Sequence, residues 1–106
     1  MDHATNCTFE RNFVYQTGKT DFQRQLGGQW NPGAGIQMAN ENYEDANPLN
    51  GNRVVNNIVV GGIWGFAYGN YGEGGGMRNT LVAHNTFVRA RRSLLWIEPA
   101  AHTGTT

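Results

Sequence analysis

The feature that most constrains the fold is a short phrase that the sequence contains three times. In each copy an apolar residue stands three places before an asparagine, and another stands two places after it; the asparagines are Asn12, Asn57 and Asn85. A unit that recurs at intervals of tens of residues is typical of stacked coils sharing one continuous core, rather than of a globule with a single centre. The phrase therefore predicts a repeat architecture.

A second set of segments explains the uneven spacing of the first. Each is a short strand with apolar residues at alternate positions, and its second residue is Ile36, Ile63 or Leu95. These residues are 27 and 32 positions apart, whereas the asparagines are 45 and 28 positions apart. Each repeat is thus an asparagine phrase, a variable connection, an Ile or Leu strand and a second variable connection. The first repeat carries the longest connection.

Strand alternation predicts which of these side chains face the interior, because successive side chains of a strand point to opposite faces. The predicted inward residues of the Ile or Leu strands are Ile36, Met38, Ile63, Gly65, Leu95 and Ile97. Those of the asparagine phrase are Phe9, Val14, Val54, Val59, Val82 and Phe87. Trp64 and Trp96 are predicted to lie side by side on the outward face.

The asparagine is predicted to sit at the bend between two short strands. Asparagine tolerates left-handed backbone geometry, and identical asparagines on adjacent coils can bond side-chain amide to side-chain carbonyl. Asn12, Asn57 and Asn85 are therefore predicted to form a ladder.

These phrases and the Gly-Ile strand that follows them resemble the right-handed parallel β-helix family, which includes pectate lyases and related polysaccharide-active proteins. The resemblance covers residues from about 6 to 100. It implies an all-β, right-handed parallel β-helix (solenoid) of about three coils, in a single domain. The expected coils are roughly 6–39, 52–66 and 80–98, and the expected variable loops are 16–34, 40–52 and 68–79.

Three coils would expose apolar side chains and strand edges at both ends, and the terminal segments are short and polar for caps. We therefore expect a segment of a longer helix, or a chain that forms homo-oligomers through its coil ends. The alternative fold is a small β-sandwich built from hairpins, with the glycine-rich stretch 72–76 as a turn.

Composition narrows the class of partner. Eight basic and eight acidic side chains give a formal net charge of zero, which removes the electrostatic argument for binding nucleic acid or an anionic membrane. No stretch approaches the roughly 20 apolar residues of a membrane span, and the first residues lack the pattern of a signal peptide. A polysaccharide or oligosaccharide is the expected partner, and the resemblance implies an extracellular or periplasmic location.

The outward tryptophans are the predicted binding surface, because indole faces suit the apolar faces and hydroxyl rims of sugar rings. The variable loops on either side of the strand would supply further contacts. The predicted substrate-binding residues are Gln37, Trp64, Trp96, Tyr68 and Arg78. The alternative is that the variable connections cover the indoles.

Catalytic candidates come from the same region. Glycoside hydrolysis needs two carboxyl groups roughly 5–9.5 Å apart, and Glu98 with Glu44 or Asp45 would supply them. A polysaccharide lyase needs a base, for which Lys19 is a candidate. Since no spacing selects a pair, a hydrolase, a lyase and a non-catalytic adhesive or structural module that binds glycan or self-associates all stay open.

No cofactor is expected. The three histidines have no zinc-site spacing. The stretch from Asn40 to Asn52 is rich in oxygen ligands but has Asp45 and Gly51 where an EF-hand requires glycine and glutamate, which leaves only an irregular calcium site open. Cys7 is the single cysteine and is expected to be a small buried apolar residue.

Overall fold

The computed structural model describes residues 1–16, 33–40, 49–70 and 75–106. Within these ranges the protein is all-β, with parallel strands in stacked sheets and no helix. The strands are β1 (Thr8–Glu10), β2 (Phe13–Tyr15), β3 (Ile36–Asn40), β4 (Leu49–Asn50), β5 (Arg53–Val55), β6 (Ile58–Val60), β7 (Trp64–Asn70), β8 (Met77–Arg78), β9 (Leu81–Ala83), β10 (Thr86–Val88) and β11 (Ser93–Ile97). No described segment forms a helix long and apolar enough to span a membrane.

The described strands form four sheets, each named here after its first strand. The β1 sheet has the order β1-β5-β9, the β2 sheet β2-β6-β10, the β3 sheet β3-β7-β11 and the β4 sheet β4-β8. All the pairings are parallel. The chain visits the four sheets in this order and then returns to the first, so each strand pairs with the strand four places later. We call one such passage a layer.

The β1 and β2 sheets have the alignment that the repeat predicts. Val54 lies opposite Phe9 on one side and Val82 on the other, and Val59 likewise lies between Val14 and Phe87. Val54 and Val59 are fully buried, and the four flanking residues pack against the same apolar core. The predicted inward positions of the asparagine phrase are confirmed.

The asparagine ladder is also confirmed. Asn12 Nδ2 donates to Asn57 Oδ1 at 3.0 Å, and Asn57 Nδ2 donates to Asn85 Oδ1 at 2.9 Å. The left-handed residue at each bend is instead the one before the ladder asparagine: the φ angles are 56° at Arg11, 58° at Asn56 and 55° at His84. Turning the chain one residue earlier leaves the asparagine side chain directed along the stack.

The predicted register of the β3 sheet is wrong. Ile36 and Leu95 both lie opposite Phe66, three positions beyond Ile63. The cause lies in the turn before β7, where Gly62 has a φ of 84° and a Cβ would lie 2.9 Å from the carbonyl oxygen of Trp64. Ile63 is buried within this turn rather than in the strand.

The shift changes which residues of β7 are buried. Phe66 and Tyr68, predicted to face outward or to lie in a loop, are both 0% exposed and belong to the core with Ile36 and Met38. Gly65 also faces the interior as predicted, since a Cβ there would lie 2.8 Å from Phe87 Cβ. Two successive inward residues therefore interrupt the alternation that the prediction assumed.

Leu95 and Ile97 are aligned with buried residues but are themselves 53% and 49% exposed. Their strand, β11, pairs with β7 on one edge, and no described strand pairs with its other edge. The expectation that they are inward is correct in register but not in burial.

Asn52, which directly precedes β5, is another buried asparagine whose side chain bonds to a neighbouring layer. Asn52 Oδ1 accepts from the Cys7 amide at 2.9 Å, and Asn52 Nδ2 donates to the Ala4 carbonyl at 2.8 Å. Cys7 itself is exposed, contrary to expectation, because it lies in the first layer, where only one neighbouring layer packs against it.

The terminal segments extend the β3 and β4 sheets through isolated bridges. Asp2 bridges to Ala39, Thr5 to Asn50 and Thr103 to Arg78, all in parallel. Short polar segments can do this because the contacts are made by backbone groups.

Candidate functional site

The indole rings of Trp64 and Trp96 form a stacked pair on the β3 sheet. Their centroids are 4.8 Å apart and their planes differ by 19°. Both side chains are half-buried and neither belongs to the buried core cluster. The predicted aromatic pair is therefore confirmed, although the two residues are not opposite each other: Trp64 lies opposite Ser93, and Trp96 lies opposite Ala67.

Stacking determines how much of the pair a ligand can contact. Each ring covers one face of its partner, so a ligand can contact at most the outer faces and the ring edges. An indole keeps its N–H donor at the edge. The pair can thus offer an apolar platform with a hydrogen-bond donor beside it, rather than the row of separate rings that the sequence predicts.

Gln37 is exposed and shares an outward row with Trp96. It lies opposite Ala67, which in turn lies opposite Trp96, so the two side chains are separated by two strand spacings, roughly 9–10 Å. Ala67 stands where the prediction placed Trp64. Ala67 lies between Gln37 and Trp96 in this row and is 1% exposed.

Tyr68 is not part of this surface, and its predicted role as a sugar-contacting residue is wrong. Its hydroxyl donates to Asn40 Oδ1 at 2.8 Å, and the Gly76 amide donates to the same oxygen at 3.2 Å. Burial, and secondarily the Glu98 carboxylate, raise the pKa of Tyr68 to about 12. Tyr68 therefore stays a neutral hydrogen-bond donor inside the protein.

Arg78 is exposed but lies in β8, opposite Asn50 in the β4 sheet. It belongs to a different sheet from the tryptophan pair. The sequence predicts Arg78 near the pair because Arg78 belongs to the variable loop 68–79 that follows the strand of Trp64. In the structure, Arg78 already belongs to the next sheet that the chain enters.

Glu98 is the catalytic candidate that the described residues include. It follows Trp96 by two positions, is half-buried, and its amide donates to the Tyr68 carbonyl at 3.1 Å. The other candidates, Lys19, Glu44 and Asp45, lie outside the described residues. Among residues 1–16, 33–40, 49–70 and 75–106, no three His, Cys, Asp or Glu side chains are grouped in a way that could hold a metal ion.

Two polar residues near Glu98 were not predicted. Asn40 continues the alternation of Ile36 and Met38, so its burial was readable from the sequence once the inward face was known. His102 carries no such signal. It meets Tyr68 edge-on, with ring centroids 4.9 Å apart, through a contact between residues distant in sequence.

A separate apolar surface lies on the outward face of the β2 sheet. Its large exposed side chains are Phe13, Tyr15, Ile58 and Val88, and Phe13 is the most exposed at 68%. These residues alternate with the partly buried Val14 and the buried Val59, and they share no sheet with the tryptophan pair. They offer a matched aromatic control for experiments on the pair.

Comparison of the chain with protein-family models, with curated proteins and with solved structures found no match.

Proposed function

We propose that this chain is a glycan-binding module built on a right-handed parallel β-helix, with the Trp64–Trp96 pair as its binding surface. The stacked, outward, half-buried pair is the observation that carries the proposal. Indole faces carry a large apolar area and keep an N–H for polar partners, which suits the apolar faces and hydroxyl rims of sugar rings.

The β-helix part of the proposal is supported by strand order and by the ladder. Each strand pairs in parallel with the strand four places later, in the same sequence of sheets. Asn12, Asn57 and Asn85 bond to one another along the stack at one corner. Both features follow if the chain winds continuously in one direction.

Binding is proposed rather than cleavage because no spacing in the sequence selects a pair of catalytic residues. Glycosidic bond hydrolysis needs two carboxyl groups, and Glu98 is the predicted carboxylate that the described residues place close to Trp96 in the chain. Its amide donates to the Tyr68 carbonyl, and its carboxylate contributes to the raised pKa of Tyr68. The proposed partner is accordingly a polysaccharide or oligosaccharide that is bound at the cell exterior.

The binding test has two steps. A glycan array identifies a glycan that the protein captures, and titration of the protein with that glycan, followed by tryptophan fluorescence, measures the affinity. Trp96→Ala is expected to weaken binding at least tenfold, about 1.4 kcal/mol, since an aromatic anchor at the centre of a contact carries much of its energy. Phe13→Ala removes an exposed aromatic side chain from the β2 sheet and is the matched control, so it should bind as the wild type does.

Three outcomes would contradict the proposal: no glycan is captured, Trp96→Ala binds normally, or Phe13→Ala loses as much affinity as Trp96→Ala. Far-UV circular dichroism of both variants separates loss of binding from loss of fold. Incubation with a polysaccharide panel then distinguishes mere binding from chemistry, because a hydrolase releases new reducing ends and a lyase creates unsaturated sugars that absorb in the ultraviolet.

A further inference from the structure

His102 holds the segment after β11 against β8 through both of its ring nitrogens. The Met77 amide lies 3.1 Å from His102 Nδ1, and His102 Nε2 lies 2.9 Å from the Glu98 carbonyl oxygen. A backbone amide can only donate, so Nδ1 must carry a lone pair and Nε2 must carry the hydrogen. The two backbone groups thus select one neutral tautomer.

The His102 ring makes one of several contacts that join the segment after β11 to β8 and to Asn79, which follows it. The Thr103 amide donates to the Met77 carbonyl at 3.1 Å, and the Asn79 amide donates to the Thr103 carbonyl at 2.9 Å. Thr105 Oγ1 donates to the same Met77 carbonyl at 2.9 Å. Among these contacts, the one made by the His102 ring is the one whose hydrogen-bonding character a proton would change, because protonation converts the accepting ring nitrogen into a donor.

We propose that His102 is a pH-sensitive latch that keeps residues 100–105 on β8 when neutral and releases them when protonated. An imidazolium carries hydrogen on both nitrogens, so its Nδ1–H would point at the Met77 N–H. Met77 is 1% exposed, and its amide would then be left without an acceptor in a buried position, which is costly. The open segment binds a proton that the closed segment excludes, so acid favours opening.

Within the part of the chain that the structure describes, three titratable or charged side chains belong to the elements around the ring. Tyr68 on β7 is neutral throughout the histidine range because its pKa is about 12. Glu98, on the same segment as the ring, attracts an imidazolium and opposes release. Arg78 on β8 follows Met77 and is exposed, so its charge is screened by solvent.

The test is amide hydrogen exchange of the whole chain between about pH 7.5 and pH 5, expressed as protection factors to remove the intrinsic pH dependence. Protection of the Met77, Asn79 and Thr103 amides is expected to fall by up to about tenfold per pH unit, the limit for one linked proton. The Ile58 and Thr86 amides, which bond between layers next to the asparagine ladder, should keep their protection.

His102→Asn supplies a side-chain oxygen that can accept from Met77 and does not titrate, so the pH response should disappear. His84→Asn is the matched control, because His84 is an exposed histidine at a left-handed position that asparagine also tolerates. Retention of the pH response in His102→Asn, or a flat response in the wild type, would overturn the latch.

A measurement on the wild type alone guards against a variant that does not fold. Nitrogen-15 NMR of the His102 ring at neutral pH should identify Nδ1 as the unprotonated nitrogen. A hydrogen on Nδ1 would overturn the proposal without any substitution.

Discussion

Replacing Asn57 with alanine removes the middle rung of the asparagine ladder. The side chain is 1% exposed and makes four hydrogen bonds, all to neighbouring layers. Its oxygen accepts from the Asn12 amide and from Asn12 Nδ2, both at 3.0 Å. Its nitrogen donates to the Phe9 carbonyl at 3.0 Å and to Asn85 Oδ1 at 2.9 Å.

The expected decrease in the free energy of unfolding follows from these hydrogen bonds. A protein hydrogen bond contributes roughly 0.5–1.5 kcal/mol net, and a buried partner left unsatisfied adds to the loss. Asn57→Ala should therefore lower the free energy of unfolding by about 3–5 kcal/mol. That is a large part of the roughly 5–15 kcal/mol that stabilises a typical domain.

The other rungs provide a graded comparison. Asn85→Ala removes three bonds: its oxygen accepts from the Asn57 amide and Asn57 Nδ2, and its nitrogen donates to the Val54 carbonyl. Asn12→Ala removes two side-chain bonds at a half-buried site, to the Glu10 carbonyl and to Asn57 Oδ1, and should cost about 1–2 kcal/mol.

Urea unfolding followed by circular dichroism, analysed by linear extrapolation, gives the three values. The expected order of destabilisation is Asn57→Ala, then Asn85→Ala, then Asn12→Ala. A smaller loss of stability in Asn57→Ala than in Asn12→Ala would contradict this order, because it would mean that contacts on both sides of a layer stabilise the protein no more than contacts on one side. If Asn57→Ala does not fold, the order of the two outer rungs still tests the argument.

Two further substitutions test the turns and the buried tyrosine. Gly51→Ala should lower the free energy of unfolding by at least about 1–2 kcal/mol, because Gly51 has a left-handed φ of 67° and an added Cβ would meet Asn6 Oδ1. Urea unfolding of Gly51→Ala with and without Asn6→Ala separates backbone strain from the collision with Asn6. Wild-type stability of the single variant would contradict the structure. Tyr68, whose pKa is raised to about 12, should stay neutral in the folded state while the unfolded chain ionises near its ordinary value of about 10. Tyr68 therefore contributes to the free energy of unfolding below about pH 10, and this contribution, at most about 3 kcal/mol, is lost as the pH rises to about 12. Tyr68→Phe should remove this loss of stability at alkaline pH, measured by urea unfolding at a series of pH values. An unchanged pH profile in the variant would show that another group is responsible.

Local spacing was sufficient to predict the ladder and the alignment of the β1 and β2 sheets. In each copy the apolar residues stand at fixed distances from the asparagine, with no insertion between them. Once Asn12, Asn57 and Asn85 are aligned, Phe9, Val54 and Val82 follow automatically, because strand geometry has a fixed period of two.

The β3 sheet could not be predicted in the same way. Connections of different length precede its strands, so sequence spacing does not determine register, and a glycine turn displaced β7 by three residues relative to the predicted alignment. That displacement decided that Tyr68 is buried, and it placed Ala67 rather than Trp64 beside Gln37. Alternation also failed at Gly65, where a missing side chain permits two inward residues in succession.

The repeat, the polar ladder at its corner and the two outward tryptophans could be predicted from the amino-acid sequence, since these features depend on short-range order along the chain. Only the tertiary structure decided that the indoles stack face to face, that Tyr68 and Asn40 form a buried pair, and that His102 accepts from Met77. Each of these contacts joins residues at least 25 positions apart, and such contacts depend on how layers are placed on one another, which no local pattern specifies.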